Sequence, residues 1–146
     1  MPATGEELET VLTAAVDLLR RANPRADWIG VYERDDDDVY RLGPFHGCPT
    51  DHPFQLEGDW PAASAMRDGH SFRPPAAGDE LFVPLRDADR LFGCVAVRGS
   101  RDGGFDDRFV SDVERVARRL SACYALRSVP LAVGAETDAE RPRRSA

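Results

Sequence analysis

The sequence contains no lysine. All 19 basic residues are arginine, whereas Asp and Glu together number 26, so the net charge is −7. A negatively charged surface repels phosphate groups, and nucleic acid is therefore not expected as a partner. Two explanations of the missing lysine stay open: an acidic surface adapted to a salt-rich, halophilic cytoplasm, and a GC-rich genome that encodes arginine instead. Neither explanation indicates a function.

Long apolar runs are also missing. No stretch approaches the roughly 20 apolar residues of a membrane-spanning helix. The beginning of the sequence, "MPATGEELET", is acidic and has no apolar core like that of a secretory signal. We therefore expect a cytoplasmic protein that does not contact a membrane. With 146 residues, of which 42% are hydrophobic, the chain is expected to form one domain.

Cysteine is scarce, and its three copies lie far apart in the sequence. They are Cys48, Cys94 and Cys123, and no CxxC motif occurs. The zinc-ribbon and thioredoxin signatures are therefore absent. An odd number of cysteines in a cytosolic chain also argues against a framework of disulfides.

Hydrophobic periodicity predicts the order of secondary structure. Apolar residues recur at helical spacing from Leu8 to Leu19, and Asn23–Pro24 ends this pattern. Two pairs of apolar strands follow, each with a polar turn, and they predict two hairpins. The turn of the first hairpin is an aspartate run, Arg34–Asp38, which we interpret as a solvated turn and not as a cation site. A last helix is predicted to begin after the N-cap Asp106 and to end at Arg127.

This order predicts an α+β fold. An antiparallel sheet would carry the N- and C-terminal helices on one face, and the segment 44–79 would lie as loops over the other face, where a pocket would form. We expect residues 1–128 to form the domain. Residues 129–146 are small, polar and charged and are expected to be a flexible tail.

A loop with reactive side chains follows the first hairpin. The stretch "LGPFHGCPTDHPF" holds His46, Cys48, Asp51 and His52 within seven residues. Structural zinc sites usually take ligands from two separated segments, so we favour a polar loop over the pocket and expect no metal and no cofactor. Cys48 is the candidate catalytic nucleophile, because a neighbouring histidine would lower its pKa.

Aromatic and charged residues on the strands are candidates for ligand binding. Trp28 and Tyr32 share one strand face with Gly30 between them, which fits either core packing or a ligand held between two aromatic rings. Arg98 is either a solvent-facing strand end or a pocket residue that would favour an anion. Trp60 is either part of the core or a hydrophobic lid.

Four stretches of the chain resemble a GAF domain: "ADWIGVYE", "LGPFHG", "ELFVPLRDADRLFGCVAVRG" and "FDDRFVSDVERVARRL". More narrowly, the chain is similar over residues 5–125 to the free methionine-(R)-sulfoxide reductases, which are stand-alone GAF proteins. The resemblance implies a GAF-like fold and a small-molecule pocket. It places Trp28 and Tyr32 in the aromatic wall of that pocket, Phe45 in its "LGPF" motif, and Glu80 at its glutamate.

The chain departs from the reductase pattern at the catalytic positions. Asp51 stands where "LGPFxGxxAC" has its cysteine, and Trp60 stands near the second family cysteine. The "GHIACD" segment, which carries the principal catalytic cysteine, has no counterpart. Ala96 and Arg98 replace two ligand-binding carboxylates.

Three hypotheses of function follow. We favour a small-molecule-binding or regulatory module that is related to the reductases and catalytically degenerate. The first alternative is a divergent reductase that uses Cys48. The second is a dimeric interaction module, with the terminal helices as the contact between two copies.

Overall fold

The computed structural model describes residues 5–24, 26–48, 55–56, 68–69, 71, 80–88, 90–99 and 106–133. Within these ranges the chain forms two helices and five strands. In chain order the elements are α1 (Gly5–Ala22), β1 (Ala26–Arg34), β2 (Tyr40–His46), β3 (Gln55–Leu56), β4 (Glu80–Asp87), β5 (Arg90–Gly99) and α2 (Asp107–Val133). The five strands form one antiparallel sheet in the order β3-β2-β1-β5-β4.

Both helices cover the same face of the sheet. The apolar sides of α1 and α2 pack on alternate residues of the strands, such as Ile29, Val95 and Leu81, and together form the larger hydrophobic core. The predicted α+β arrangement, one antiparallel sheet with terminal helices on one face, is therefore confirmed. Neither α1 nor α2, the helices of the described ranges, combines the length and apolar character needed to cross a membrane.

Specific polar contacts fix α2 at its start and in its middle. The backbone amide of Phe109 donates to Asp106 Oδ1 at 2.8 Å, which confirms Asp106 as the N-cap. Further along, the backbone amide of Arg86 donates to Ser121 Oγ at 2.9 Å, and this hydroxyl donates to the carbonyl of Ala117. A buried hydroxyl thus joins α2 to strand β4.

The last helix is longer than the sequence predicts. It continues to Val133, whereas the change in composition predicts an end at Arg127. Pro130 has no N–H, so it cannot donate the helical hydrogen bond to the carbonyl of Leu126, and the helix nevertheless continues past it. The division into a domain of residues 1–128 and a tail of residues 129–146 stays a prediction.

The aspartate run forms the turn between β1 and β2. Asp35 Oδ1 accepts hydrogen bonds from the backbone amides of Asp37 at 2.9 Å and Val39 at 3.0 Å. The Val39 bond, followed by those from Asp37 and Arg41, holds the pKa of the Asp35 carboxyl below its usual value. The carboxylate therefore caps its own turn. Among the residues that the structure describes, no three His, Cys, Asp or Glu side chains are grouped to hold a metal.

Strand β2 extends further than the sequence predicts. The expected loop begins at Pro44, but β2 continues to His46. Tyr32 pairs with Leu42 and Gly30 pairs with Phe45, so Gly43 and Pro44 together lie opposite the single residue between Gly30 and Tyr32. This arrangement is a β-bulge, which is one of the few places where a sheet accepts proline. The bulge also turns Phe45 toward the sheet face that carries Tyr32.

Strand β4 lies at one edge of the sheet and contains a proline, Pro84, opposite Cys94. The pairing of β4 with β5 stays in register from Glu80 through Leu85. An edge strand tolerates proline because one side of its backbone has no partner strand.

Candidate functional site

The register of the sheet places three candidate residues in one row. Trp28 on β1 lies opposite Arg98 on β5, and Arg98 lies opposite Glu80 on β4. Directly opposed residues of antiparallel strands point to the same face. This face is the one that the helices do not cover, because its neighbouring rows carry Cys94 and Ala96 of a second, separate core cluster.

Aromatic rings form a packed layer on this face. The indole of Trp28 stacks on Phe45, with ring centroids 5.9 Å apart and an interplanar angle of 18°. It also contacts Tyr32, with centroids 6.3 Å apart. We call the layer the aromatic face and define it by Trp28, Tyr32, Tyr40, Phe45 and Phe82. Trp28, Tyr32 and Tyr40 have no exposed surface, whereas Phe45 is half-buried.

The indole of Trp28 fills the space above Gly30. A methyl group built on Gly30 would overlap the six-membered ring of Trp28, coming within 2.7 Å of Cζ3. Two alternatives are open from the sequence for Trp28 and Tyr32, core packing and a ligand held between their rings, and the position of the indole over Gly30 fits core packing. Gly30 is small because the indole lies flat across it. A ligand that contacts Trp28 must displace the atoms that now bury it.

Burial controls the acidity of the interior groups on this face. Desolvation raises the pKa of the Tyr32 hydroxyl, and the nearby Cys94 and Glu80 raise it further. Desolvation also raises the pKa of the Cys94 thiol. Both groups are therefore protonated at neutral pH, and the Cys94 thiol is a poor nucleophile. Arg98 and Glu80, which lie in the same cross-strand row as Trp28, are half-buried.

Cys48 lies at the Trp28 end of the aromatic face. It follows Gly47, whose φ of 126° and close approach to the carbonyl oxygen of Asp27 exclude a side chain. Cys48 itself is exposed, and none of the three cysteines forms a disulfide. An exposed thiol can reach a substrate. Whether the protein could complete a redox cycle by itself depends on a second thiol close enough to form a disulfide with Cys48.

Neither other thiol is placed to resolve an oxidised Cys48. Cys94 lies opposite Tyr32, four residues along β1 from Trp28, which corresponds to about 13 Å along a strand. Disulfide partners have Cα atoms about 4.4–6.8 Å apart. Cys123 packs against the core under the helices, on the other side of the sheet. An internal disulfide with Cys48 would therefore require a large rearrangement.

The structure brings together five of the predicted ligand-binding residues: Trp28, Tyr32, Phe45, Glu80 and Arg98. Asp51 and Trp60, as well as His52 of the reactive loop, lie outside the described residues, so the predictions for them stay predictions. Sequence reasoning missed Phe82, which is 7% exposed and belongs to the same layer. The alternation of Glu80 and Phe82 along β4 is the signal that could have identified it.

Solved structures show which fold this is. A type II free methionine-R-sulfoxide reductase from Thermoplasma acidophilum superposes with a TM-score of 0.69 at 20% identity, over 81% of this chain and 92% of that chain. A GAF domain/HD domain protein from Geobacter sulfurreducens gives 0.70 at 17% identity, over 82% and 92%. A free methionine-R-sulfoxide reductase from Neisseria meningitidis, in complex with its substrate, gives 0.67 at 18% identity, over 84% and 86%.

The sequence itself matches no protein-family model, and no curated protein matches it significantly. The chain therefore has the GAF fold, as the sequence resemblance implies, and shares it with a GAF domain/HD domain protein and with the free methionine-R-sulfoxide reductases. At these identities the likeness concerns the fold.

We predict that Gly30→Ala destabilises the protein by about 1–3 kcal/mol, because the added methyl group overpacks the layer and displaces the Trp28 indole. Denaturant unfolding measures the change. Gly43→Ala is the matched control on the neighbouring strand, since among the described residues its methyl group would meet one atom, the carbonyl oxygen of Val31 at 3.3 Å, and no aromatic ring. Equal stability of Gly30→Ala and the wild type would show that the indole does not occupy this space in solution.

Proposed function

We propose that this protein is a GAF-domain module that binds a small molecule on its aromatic face and has no reductase activity. The observation that carries the proposal is the convergence of Trp28, Tyr32, Phe45, Glu80 and Arg98 on the sheet face away from the helices. A layer of aromatic rings bordered by a few half-buried charged groups has the composition of a small-molecule site. Ligand binding there would make the protein a regulatory or sensory module.

The arrangement of the thiols supports the loss of catalysis. Reduction of a sulfoxide needs a thiolate to attack sulfur and then a second thiol to resolve the resulting sulfenic acid. Cys94 is fully buried and lies far along the sheet from Cys48, and Cys123 lies on the other side of the sheet. The chain therefore offers one exposed thiol, and its two other thiols lie out of reach of it.

A thermal-shift screen of metabolites from all charge classes tests the binding function. A ligand at 100 times its Kd is expected to stabilise the native state by about 2.7 kcal/mol. Phe45→Ala is expected to abolish this shift, because Phe45 is the half-buried member of the aromatic face. Leu126→Ala, an exposed position on α2, is the control and should leave the shift intact. If no metabolite of any class stabilises the wild type, the binding function is wrong.

The exposure of Cys48 favours a second candidate function, a divergent free methionine-(R)-sulfoxide reductase. In this reaction the Cys48 thiolate attacks the sulfoxide sulfur, methionine is released, and the oxygen stays on Cys48 as a sulfenic acid. Two thiols of an external reductant such as dithiothreitol then reduce the sulfenic acid, with release of water and formation of the reductant's disulfide.

An assay of free methionine-(R)-sulfoxide reduction with dithiothreitol separates the two candidates. We predict no turnover above the uncatalysed rate for the wild type. Cys48→Ala and Cys123→Ala are measured in parallel, since both are expected to equal the wild type. Turnover that Cys48→Ala abolishes and Cys123→Ala retains would overturn the loss of catalysis and establish the reductase.

A groove between the two helices supports the proposal that the protein is a homodimer. Two apolar residues of α1 are exposed along this groove, Val11 at 38% and Leu18 at 52%. Val116 and Leu120 of α2 form the opposite wall, and Arg115 lies at its rim. A second copy of the chain, packed against this groove, would bury these apolar side chains.

We predict that Leu18→Asp converts the dimer into a monomer, because it places a charge in an apolar contact. Sedimentation equilibrium measures the mass. Thr13→Asp is the control, since Thr13 is exposed on α1 outside the groove. A monomeric wild type at all concentrations would exclude the homodimer.

A further inference from the structure

We propose that the ligand of the aromatic face is a small organic anion with an apolar group, and that Arg98 binds its negatively charged end. The proposal rests on the proposed binding function and specifies the chemical class of the ligand.

Two independent observations place Arg98 on the aromatic face. Its Cα atom lies opposite Trp28 on one side and Glu80 on the other, and both neighbours belong to this face. Along β5, Arg98 alternates with Cys94 and Ala96, which are buried in the same cluster, whereas Val95 and Val97 pack under the helices. The pleat of the strand therefore directs Arg98 away from the helices.

The position of Arg98 decides the sign of the ligand. Arg98 lies on β5, directly beside Trp28, whereas Glu80 lies one strand further out, on the edge strand β4. A ligand that contacts the aromatic rings therefore lies closer to the guanidinium of Arg98 than to the carboxylate of Glu80. An ammonium group at the same place would meet the positive charge of Arg98 first, which disfavours a cation.

The guanidinium of Arg98 can bind an anion in addition to its other contacts. It carries five N–H donors in a planar fork, and this fork matches a carboxylate with two parallel hydrogen bonds.

The accessible members of the site define the length of the ligand. Phe45 and Arg98 are half-buried and lie on either side of the fully buried Trp28, on β2 and β5 respectively. Two strand spacings and a stagger of two residues separate their Cα atoms by about 12 Å. Once the atoms that bury Trp28 are displaced, a molecule of the size of phenylacetate is long enough to place its ring on Phe45 and its carboxylate on Arg98.

Isothermal titration calorimetry at low ionic strength tests the charge class with three probes of matched shape: phenylacetate, phenylacetamide and phenethylammonium. We expect wild-type protein to bind phenylacetate at millimolar concentration and to bind the other two more weakly. Arg98→Gln is expected to weaken phenylacetate binding by about tenfold or more, because a charge-assisted pair of hydrogen bonds is lost. Arg118→Gln, an exposed position on α2, makes the same change of net charge away from the site and should bind as the wild type does.

Arg98→Lys keeps the charge but loses the planar fork, so its affinity for phenylacetate should fall between those of the wild type and Arg98→Gln. This variant also provides the comparison if Arg98→Gln does not fold. Equal affinity of the wild type and Arg98→Lys, or of the wild type and Arg98→Gln, would overturn the assignment of Arg98. Preference for phenylacetamide or phenethylammonium would overturn the anion and leave the binding function standing. Failure of all three probes to bind wild-type protein would overturn the ligand class, whereas the metabolite screen decides the binding function itself.

Discussion

The central strand β1 has to serve two cores at once, and the rest of the structure depends on this constraint. Its neighbours β2 and β5 hold it on both sides, so its side chains alternate between the helices and the aromatic face. Ile29 and Val31 enter the helix-covered core, whereas Trp28 and Tyr32 enter the other. Because the side-chain period of a strand is two, no residue of β1 can change faces without moving the whole strand. The position of the site is thus fixed by the pleat of one strand.

The same pleat explains how the aromatic face is assembled from distant parts of the chain. Trp28, Phe45 and Phe82 come from three strands, and only the sheet register brings them to one side. The bulge at Gly43 and Pro44 is part of this assembly, since it shifts the alternation of β2 by one residue. The result is a layer of rings that is closed at Trp28 and accessible at Phe45, with Arg98 and Glu80 at one end.

Local sequence patterns predict much of this fold because they depend on few partners. The helical spacing from Leu8 to Leu19, the two hairpins and the N-cap Asp106 are short-range features, and the structure confirms them. Strand alternation alone likewise groups Trp28 with Tyr32, and the two residues do share a face. The order of strands, with β1 beside β5, depends on contacts between distant segments, and the local patterns do not predict it.

Two features of the site depend in the same way on packing that the local sequence does not show. Proline at position 44 signals the end of a strand locally, but pairing with β1 accommodates it in a bulge. Glycine at position 30 fits either core packing or space for a ligand, and the direction of the neighbouring indole decides between the two. Both outcomes depend on side chains and strands that are distant or unspecified in the local sequence. A sequence pattern identifies which residues share a face, and packing decides whether that face is open.

Pro84 on strand β4 affects whether another chain can pair with the edge of this sheet. An exposed sheet edge offers a row of backbone N–H and C=O groups to which another chain can add as a strand, and this is a common beginning of aggregation. The pairing of β4 with β5 continues through Pro84 without a shift, so the position that lacks its N–H faces away from β5, at the edge of the sheet that the described strands form. A foreign strand would find a gap in its hydrogen bonds at that point. The edge is therefore protected by its backbone chemistry, independently of the acidic charge of the surface.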